Sequence, residues 1–302
     1  MIAWVGEGEG HEAIRPPPAG VEVRPWPEDA AAAADREAVE FVVPTSSSVL
    51  TALDGLPALR VVQVISAGVD WILGRVPPGV TLCDARGARD GAMAEWVLAA
   101  ILADAKRARE VAERQARHEW DRVAMGDVAG LRVLILGHGS IGRATARLLE
   151  AFGAGVTGVA RHARPDEGVR ALAELPLLLE QADVLVNLLP LTQQTRGLVG
   201  ADVLGGLPDG ALYVSAGRGA TTDTRALLGA LLGGRLRAVL DVVDPEPLPA
   251  DHPLWDAPGL VLTPHVAGDT PGAERAAWRL VGEQLRRYAA GESLENVVRE
   301  GY

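Results

Sequence analysis

Short runs of consecutive apolar residues alternate along almost the whole chain with longer stretches in which apolar residues recur every three or four positions. The first pattern belongs to strands buried on both faces and the second to helices that cover them. Their alternation predicts an α/β protein built on mainly parallel sheets. In the first ninety residues the apolar runs place strands near Ile2–Val5, Val21–Val23, Glu40–Pro44, Val61–Ile65 and Thr81–Cys83. A second set begins after Leu131, with strands near Arg132–Leu136, Val156–Ala160, Val184–Leu188, Ala211–Ser215, Arg237–Val242 and Leu260–Thr263. Between the sets, Ala92 to His118 reads as one long helical stretch with few breakers, carrying apolar Trp96, Val97, Ala100 and Ile101. It is longer than one domain's surface needs, which suggests a link between two lobes that also packs on a partner subunit. A last helical pattern, Ala273 to Ala289, is followed by Val297-Val298, and terminal segments of this kind often return to the first lobe. The Ala30–Ala34 run reads as part of a helix rather than a tether.

The most informative local pattern is the strand that runs straight into Gly137-His138-Gly139-Ser140-Ile141-Gly142. This G-x-G-x-x-G spacing fits a turn that cradles a dinucleotide. Gly137 permits a tight turn, Gly139 lets a pyrophosphate approach bare backbone, and Gly142 lets helix pack on strand. The helix expected over Arg143 to Phe152 would then aim free N–H groups and its positive dipole end at the phosphates. With 35 glycines in the chain the spacing alone is weak, and its context carries it: an apolar run before, and Ile141, Ala144, Ala146, Leu148 and Leu149 at helical spacing after.

A length of 302 residues suggests two domains, and 48% hydrophobic with 23% charged residues describes an ordinary soluble protein. The formal charge of −11 argues against a nucleic-acid partner and leaves any anionic substrate dependent on locally placed arginines. A single cysteine, Cys83, excludes a disulfide framework and a cysteine-rich metal site, and no metal is expected. Met1 to Val5 lacks the basic start and apolar core of a signal peptide, and no run approaches 18 apolar residues, so the expectation is a cytoplasmic protein without a membrane partner.

In open parallel sheets ligands bind beyond the carboxyl ends of the strands. Three such ends carry polar chemistry: Ala216-Gly217-Arg218-Gly219, where an arginine could grip a carboxylate; Asp244-Pro245-Glu246-Pro247, a carboxylate between prolines; and Pro264-His265, an imidazole on a short turn. Each alone reads as an ordinary surface or structural residue. At three successive ends of one sheet they form a candidate catalytic set.

These stretches, with Leu240 to Leu248 and Thr263 to Gly268, resemble the signatures of the D-isomer-specific 2-hydroxyacid dehydrogenases, close to glyoxylate/hydroxypyruvate reductases. The resemblance extends to Ser66-Ala67-Gly68-Val69-Asp70, to Ala94 through Leu98, to Leu189-Pro190-Leu191-Thr192 with Thr195, and to Trp120. It implies a doubly wound Rossmann cofactor domain over 92–268 and a smaller flavodoxin-like substrate domain from 1–91 and 269–302, closing over a cleft. It also implies hydride transfer between a nicotinamide and the C2 carbonyl of a small 2-oxoacid. His265 would donate the proton to the carbonyl oxygen, Glu246 would orient the ring and stabilise its cationic form, and Arg218 would bind the carboxylate and carbonyl. Backbone around Ala67, Gly68 and Val69 would hold the carboxylate. Leu189, Pro190, Thr195 and Ala216 would line the cofactor, and Asp241 would either accept from its carboxamide or cap its own strand end.

An NAD enzyme would carry a carboxylate after the second strand, on the ribose 2′-hydroxyl. Here Ala160 is followed by Arg161-His162-Ala163-Arg164, with no acid until Asp166, so NADP(H) is favoured and NAD(H) remains open. Several residues depart from the family's habits: Arg89 stands where an asparagine is frequent, Val243 where a phenylalanine is, and Ser215 where an asparagine is. Arg89 reads equally as a second anion contact or a surface residue, Trp71 and Met125 as pocket wall or packing, and Trp96 as core or subunit contact. Cys83 reads as a small buried residue. The expected whole is an NADPH-dependent 2-oxoacid reductase acting as a homodimer. Its rivals are an NAD-dependent dehydrogenase of another 2-hydroxyacid, an enzyme oxidising formate or phosphoglycerate with NAD, a nicotinamide-sensing binding protein without catalysis, and more remotely a methyltransferase.

Overall fold

Every apolar run singled out above becomes a strand in the computed structural model, which describes residues 1–6 and 12–299, and all pairings between these strands are parallel. The chain divides into two units, Met1–Arg89 with Asp269–Tyr302, and Asp90–Gly268. No helix of the described residues is long and apolar enough to cross a membrane.

The first unit is a five-stranded sheet of β1 (Ile2–Val5), β2 (Glu22–Pro25), β3 (Val39–Val43), β4 (Val61–Gln63) and β5 (Thr81–Cys83), in the order β2-β1-β3-β4-β5. This is the flavodoxin-like order. Both faces are buried, which is why its strands read as continuous apolar runs. Trp4, Val42, Leu53, Val62 and Ile72 pack on one side. Ala3, Val5, Phe41 and Val43 pack on the other, against Trp278, Val281 and Leu285 of the helix Pro271–Ala289. That helix begins where Thr270 accepts a hydrogen bond from the Ala273 N–H, with proline in its first turn, and ends with Arg286 and Arg287 at its negative pole. The Gln284 side-chain amide donates to Gln63 Oε1 at 3.0 Å, and the Val298 N–H donates to the Leu82 carbonyl at 2.9 Å, so the terminal segment does return to the first sheet.

The second unit is a seven-stranded sheet of β6 (Arg132–Leu136), β7 (Gly155–Ala160), β8 (Val169–Ala171), β9 (Val184–Asn187), β10 (Leu212–Ser215), β11 (Arg237–Leu240) and β12 (Leu260–Leu262), ordered β12-β11-β10-β9-β6-β7-β8. The winding goes outward from β6 to β8, then restarts at β9 and goes outward the other way. The switch point therefore lies between β6 and β9, where a doubly wound sheet opens a crevice beyond its strand ends. Helix α1 (Asp90–Ala105) buries Val97, Ala100 and Ile101 against Val133, Ile135 and Val214.

Four expectations need correction. The stretch from Ala92 to His118 is not one helix. It is α1 followed by α2 (Ala108–Ala116), broken at Arg107, which has a left-handed φ of +50°. The chain that returns after α2 stops α1: the Gly126 N–H donates to the Ala105 carbonyl at 2.7 Å, and Lys106 Nζ donates to the Gly126 carbonyl. The Ala30–Ala34 run forms turns, because the Asp29 carboxylate accepts from the Ala31 and Ala32 N–H groups and competes with helical bonding. The helix after the glycine turn, α3 (Ser140–Ala151), starts three residues earlier than expected and takes Gly142 into its first turn. The seventh strand, β8, was hidden by its three-residue length between Gly168 and Leu172.

Candidate active site

Parallel register sets Ser215 beside Leu240 and Leu240 beside Leu262, so the turns that follow β10, β11 and β12 leave one edge of the sheet together. Arg218 lies in the first turn. Its neighbour Gly219 is so close to the second that a side-chain carbon there would lie 1.8 Å from the Val243 carbonyl oxygen. Only glycine allows that approach, and it packs the turn bearing Arg218 against the one leading to Glu246. Arg218 Nη1 donates to the Gly217 carbonyl, and the Arg218 carbonyl accepts from Thr221 Oγ1 at 2.7 Å.

Glu246 and His265 meet directly, with Glu246 Oε1 2.6 Å from His265 Nδ1. A proton on Nδ1 is donated to the carboxylate, which fixes the ring's tautomer and leaves Nε2 as the nitrogen that can exchange a proton with a ligand. His265 has a left-handed φ of +56°, a conformation costing a non-glycine residue about 1–2 kcal/mol. Buried Asp241 holds it there. Its Oδ1 accepts from Thr263 Oγ1 and the Val266 N–H, and its Oδ2 accepts from the Ala267 N–H, all at 2.6–2.9 Å. Of the two readings of Asp241, these contacts are those of the strand-end cap.

A buried polar cluster that sequence reasoning missed braces the same edge. Asn187, fully buried at the end of β9, donates from its side-chain amide to the Tyr213 hydroxyl at 2.9 Å and to Thr221 Oγ1 at 2.8 Å, and its Oδ1 accepts from the Leu189 N–H. One side chain thus ties the Leu189 turn to the Arg218 turn. Burial pushes the Tyr213 phenol up and keeps it neutral. The available signal was a polar residue ending an otherwise apolar strand run.

At the switch point, Gly137 has φ +91°, and a side-chain carbon there would lie 2.7 Å from the Leu188 carbonyl oxygen. Gly142 faces the Gly137 carbonyl as closely, whereas nothing lies within 4 Å of the corresponding position at Gly139. The turn is therefore closed toward the protein and open at Gly139, just ahead of the α3 N-terminus formed by Ser140 and Ile141. That is the shape a pyrophosphate needs. Thr195 Oγ1 donates to the Pro190 carbonyl at 2.6 Å and folds the loop after β9 on itself; Ala216, following β10, is buried. After β7, Arg161 and His162 are exposed, while Arg164 Nη2 donates to the His138 carbonyl of the glycine turn at 2.6 Å. These groups fit a phosphorylated dinucleotide.

In the first unit, Ser66 Oγ donates to the Gly68 carbonyl at 2.7 Å and accepts from the Trp71 indole N–H, and Val69 is fully buried. Trp71 thus supports the loop holding Ala67, Gly68 and Val69. Arg89 is ion-paired with Asp269 at 2.5 Å. Burial, reinforced by Asp84, pushes the Cys83 thiol up to about 12, which leaves it inert.

The family model for the D-isomer specific 2-hydroxyacid dehydrogenase NAD binding domain matches residues 98–267. D-3-phosphoglycerate dehydrogenase from Methanocaldococcus jannaschii is 30% identical over 80% of this chain, which spans only 47% of that relative's length. Glyoxylate/hydroxypyruvate reductase B from Pectobacterium carotovorum is 35% identical over 82% of this chain and 81% of its own. Among solved structures, the NADPH-dependent glyoxylate/hydroxypyruvate reductase from Sinorhizobium meliloti, in complex with NADP and sulfate, superposes with a TM-score of 0.85 at 31% identity, covering 99% of this chain and 98% of that one.

Proposed function

The chain belongs to the D-isomer-specific 2-hydroxyacid dehydrogenases, a family of NAD(P)-dependent oxidoreductases, and from that premise we propose that it reduces the C2 carbonyl of a small 2-oxoacid with NADPH. When bound, the nicotinamide supplies the hydride. His265 supplies the proton: as an imidazolium it donates from Nε2 to the carbonyl oxygen as negative charge develops there, and as a neutral ring it takes that proton back in the oxidative direction. Glu246 holds Nδ1 and stabilises the cation. Arg218 grips the carboxylate with its fork and polarises the carbonyl. Gly137 through Gly142, Leu189, Pro190, Thr195 and Ala216 form the cofactor's bed, with Arg161, His162 and Arg164 as countercharge for a 2′-phosphate.

The observation that carries this reading is the 2.6 Å Glu246–His265 pair at a strand end whose neighbouring turn bears Arg218. A binding protein has no use for an oriented imidazole at that place. Glyoxylate and hydroxypyruvate are the proposed substrates, by likeness to the relatives named for them. The test is turnover by the purified chain on a panel of 2-oxoacids with NADPH and NADH supplied separately. Reduction of a small 2-oxoacid, faster with NADPH, is expected. Cofactor binding without turnover of any 2-oxoacid would leave a nicotinamide-binding protein and refute the proposal.

The partner in assembly is proposed to be a second copy. The segment after α2 carries Trp120, fully exposed, and Met125, 56% exposed. An open groove of about 1170 Å³ on the same unit is lined in part by Trp96, Ala99, Ala103, Pro208 and Val261. An arm that exposes Trp120 and Met125 beside an open groove of mixed apolar and charged lining can be exchanged between two identical chains.

A further inference from the structure

Glu167 has no part in the scheme above, yet it sits on the cation that scheme assigns to the cofactor. Arg164 Nε lies 3.1 Å from Glu167 Oε2, and the same oxygen is 4.0 Å from Nη1 of Arg143 in the first turn of α3. In sequence Glu167 falls outside the basic stretch. A single helical turn, Pro165–Glu167, brings it back: the Glu167 N–H donates to the Arg164 carbonyl at 3.0 Å, and Gly168, at φ +68°, reverses the chain so that Arg164 and Val169 bond to each other through both backbone groups. The result is a row running from the His138 carbonyl through Arg164 to Glu167 and Arg143. Arg161 and His162, by contrast, form no ion pair among the described residues and stand exposed.

We propose that Glu167 is a specificity-determining residue, an internal anion that occupies the Arg164 and Arg143 guanidinium groups where a cofactor 2′-phosphate would lie, and so narrows the preference for NADPH over NADH. The proposal rests on the NADPH reading and deepens it. In a doubly wound sheet the adenosine ribose lies at the end of the second strand, here Ala160, and Arg164 joins that strand end to the glycine turn. A carboxylate and a phosphate compete for the same guanidinium fork and repel each other when both are near. The phosphate carries almost two charges and three acceptor oxygens against the carboxylate's one and two, so it wins the site. Glu167, 45% exposed, has room to turn into solvent. NADH brings only a hydroxyl there, which neither displaces nor repels the carboxylate. Glu167 therefore acts against one cofactor and not the other.

The test measures dissociation constants of NADPH and NADH for the native chain and for Glu167→Gln, by quenching of intrinsic tryptophan fluorescence, with thermal melting as a check on folding. The variant is expected to favour NADPH over NADH about tenfold more than the native chain does, a gain that shrinks as salt is raised. Adding Arg164→Ala to Glu167→Gln should abolish the gain. An unchanged ratio, an equal shift for both cofactors, or a gain that survives Arg164→Ala would overturn the role of Glu167 and leave the NADPH reading standing. A native chain that binds NADH but not NADPH, in which Glu167→Gln restores NADPH binding, would refute that reading and keep the role of Glu167.

Discussion

His265 occupies a backbone conformation that a residue with a side chain resists, and the three hydrogen bonds accepted by Asp241 hold it there. The same logic recurs at Asn187, where one buried amide fixes two turns. The Arg218, Glu246 and His265 positions were legible as strand-end chemistry, because their residue types are rare at such places in combination. Asp241 and Asn187 were not readable as braces, since a polar residue at a strand end looks the same whether it faces a ligand or its own turn. His138 gives this scale its prediction. Burial, with Arg164 and Arg143, holds its folded-state pKa below the ordinary imidazole value of 6.5. Below pH 6.5 the unfolded chain takes up a proton that the folded chain refuses, so stability should fall as pH drops from 6.5 toward the folded value and level off beneath it. Thermal melts between pH 7.5 and 5 should show that slope, and His138→Gln should flatten it. Identical slopes for the two proteins would contradict the assignment.

The elements were legible where hydrophobic periodicity decides them and hidden where a single turn does. Long buried strands announced themselves, whereas three-residue β8 was too short to show a period. The break between α1 and α2 was hidden for another reason. Lys106 and Arg107 are good helix formers, and the signal that ends α1 is Gly126, twenty-one residues after Ala105, whose N–H caps it across space. At Arg107 the two possibilities make opposite predictions. With φ at +50°, Arg107→Gly should leave stability equal or higher, and Arg107→Val should lower it by about 1–2 kcal/mol. In one continuous helix Arg107→Gly would instead cost about 1 kcal/mol. Chemical denaturation of the two variants distinguishes them.

At the scale of the whole molecule, two parallel sheets with different strand orders carry different kinds of loop. The seven-stranded sheet gathers the glycine turn at its switch point and the Arg218, Glu246 and His265 turns beyond adjacent strands, while the five-stranded sheet offers the loop supported by Ser66 and Trp71. The alternation of apolar runs and helical stretches made both sheets legible. The return of the chain end to the first sheet was foreshadowed only by Val297-Val298, because the contacts that secure it, such as Gln284 to Gln63, join residues far apart in sequence. If two copies exchange the arm bearing Trp120, the native chain should sediment as a dimer, and Trp120→Ser should shift it toward monomer while leaving cofactor binding intact. A native monomer at micromolar concentration would contradict that assembly.

If the imidazole held by Glu246 delivers the proton to a ketone whose acid group lies on Arg218, His265→Ala should separate chemistry from binding when the rate of 2-oxoacid reduction and the affinity for NADPH are both measured. The rate should fall by about 10²–10⁴ with cofactor affinity unchanged. A variant that retains near-native turnover would contradict that role for His265.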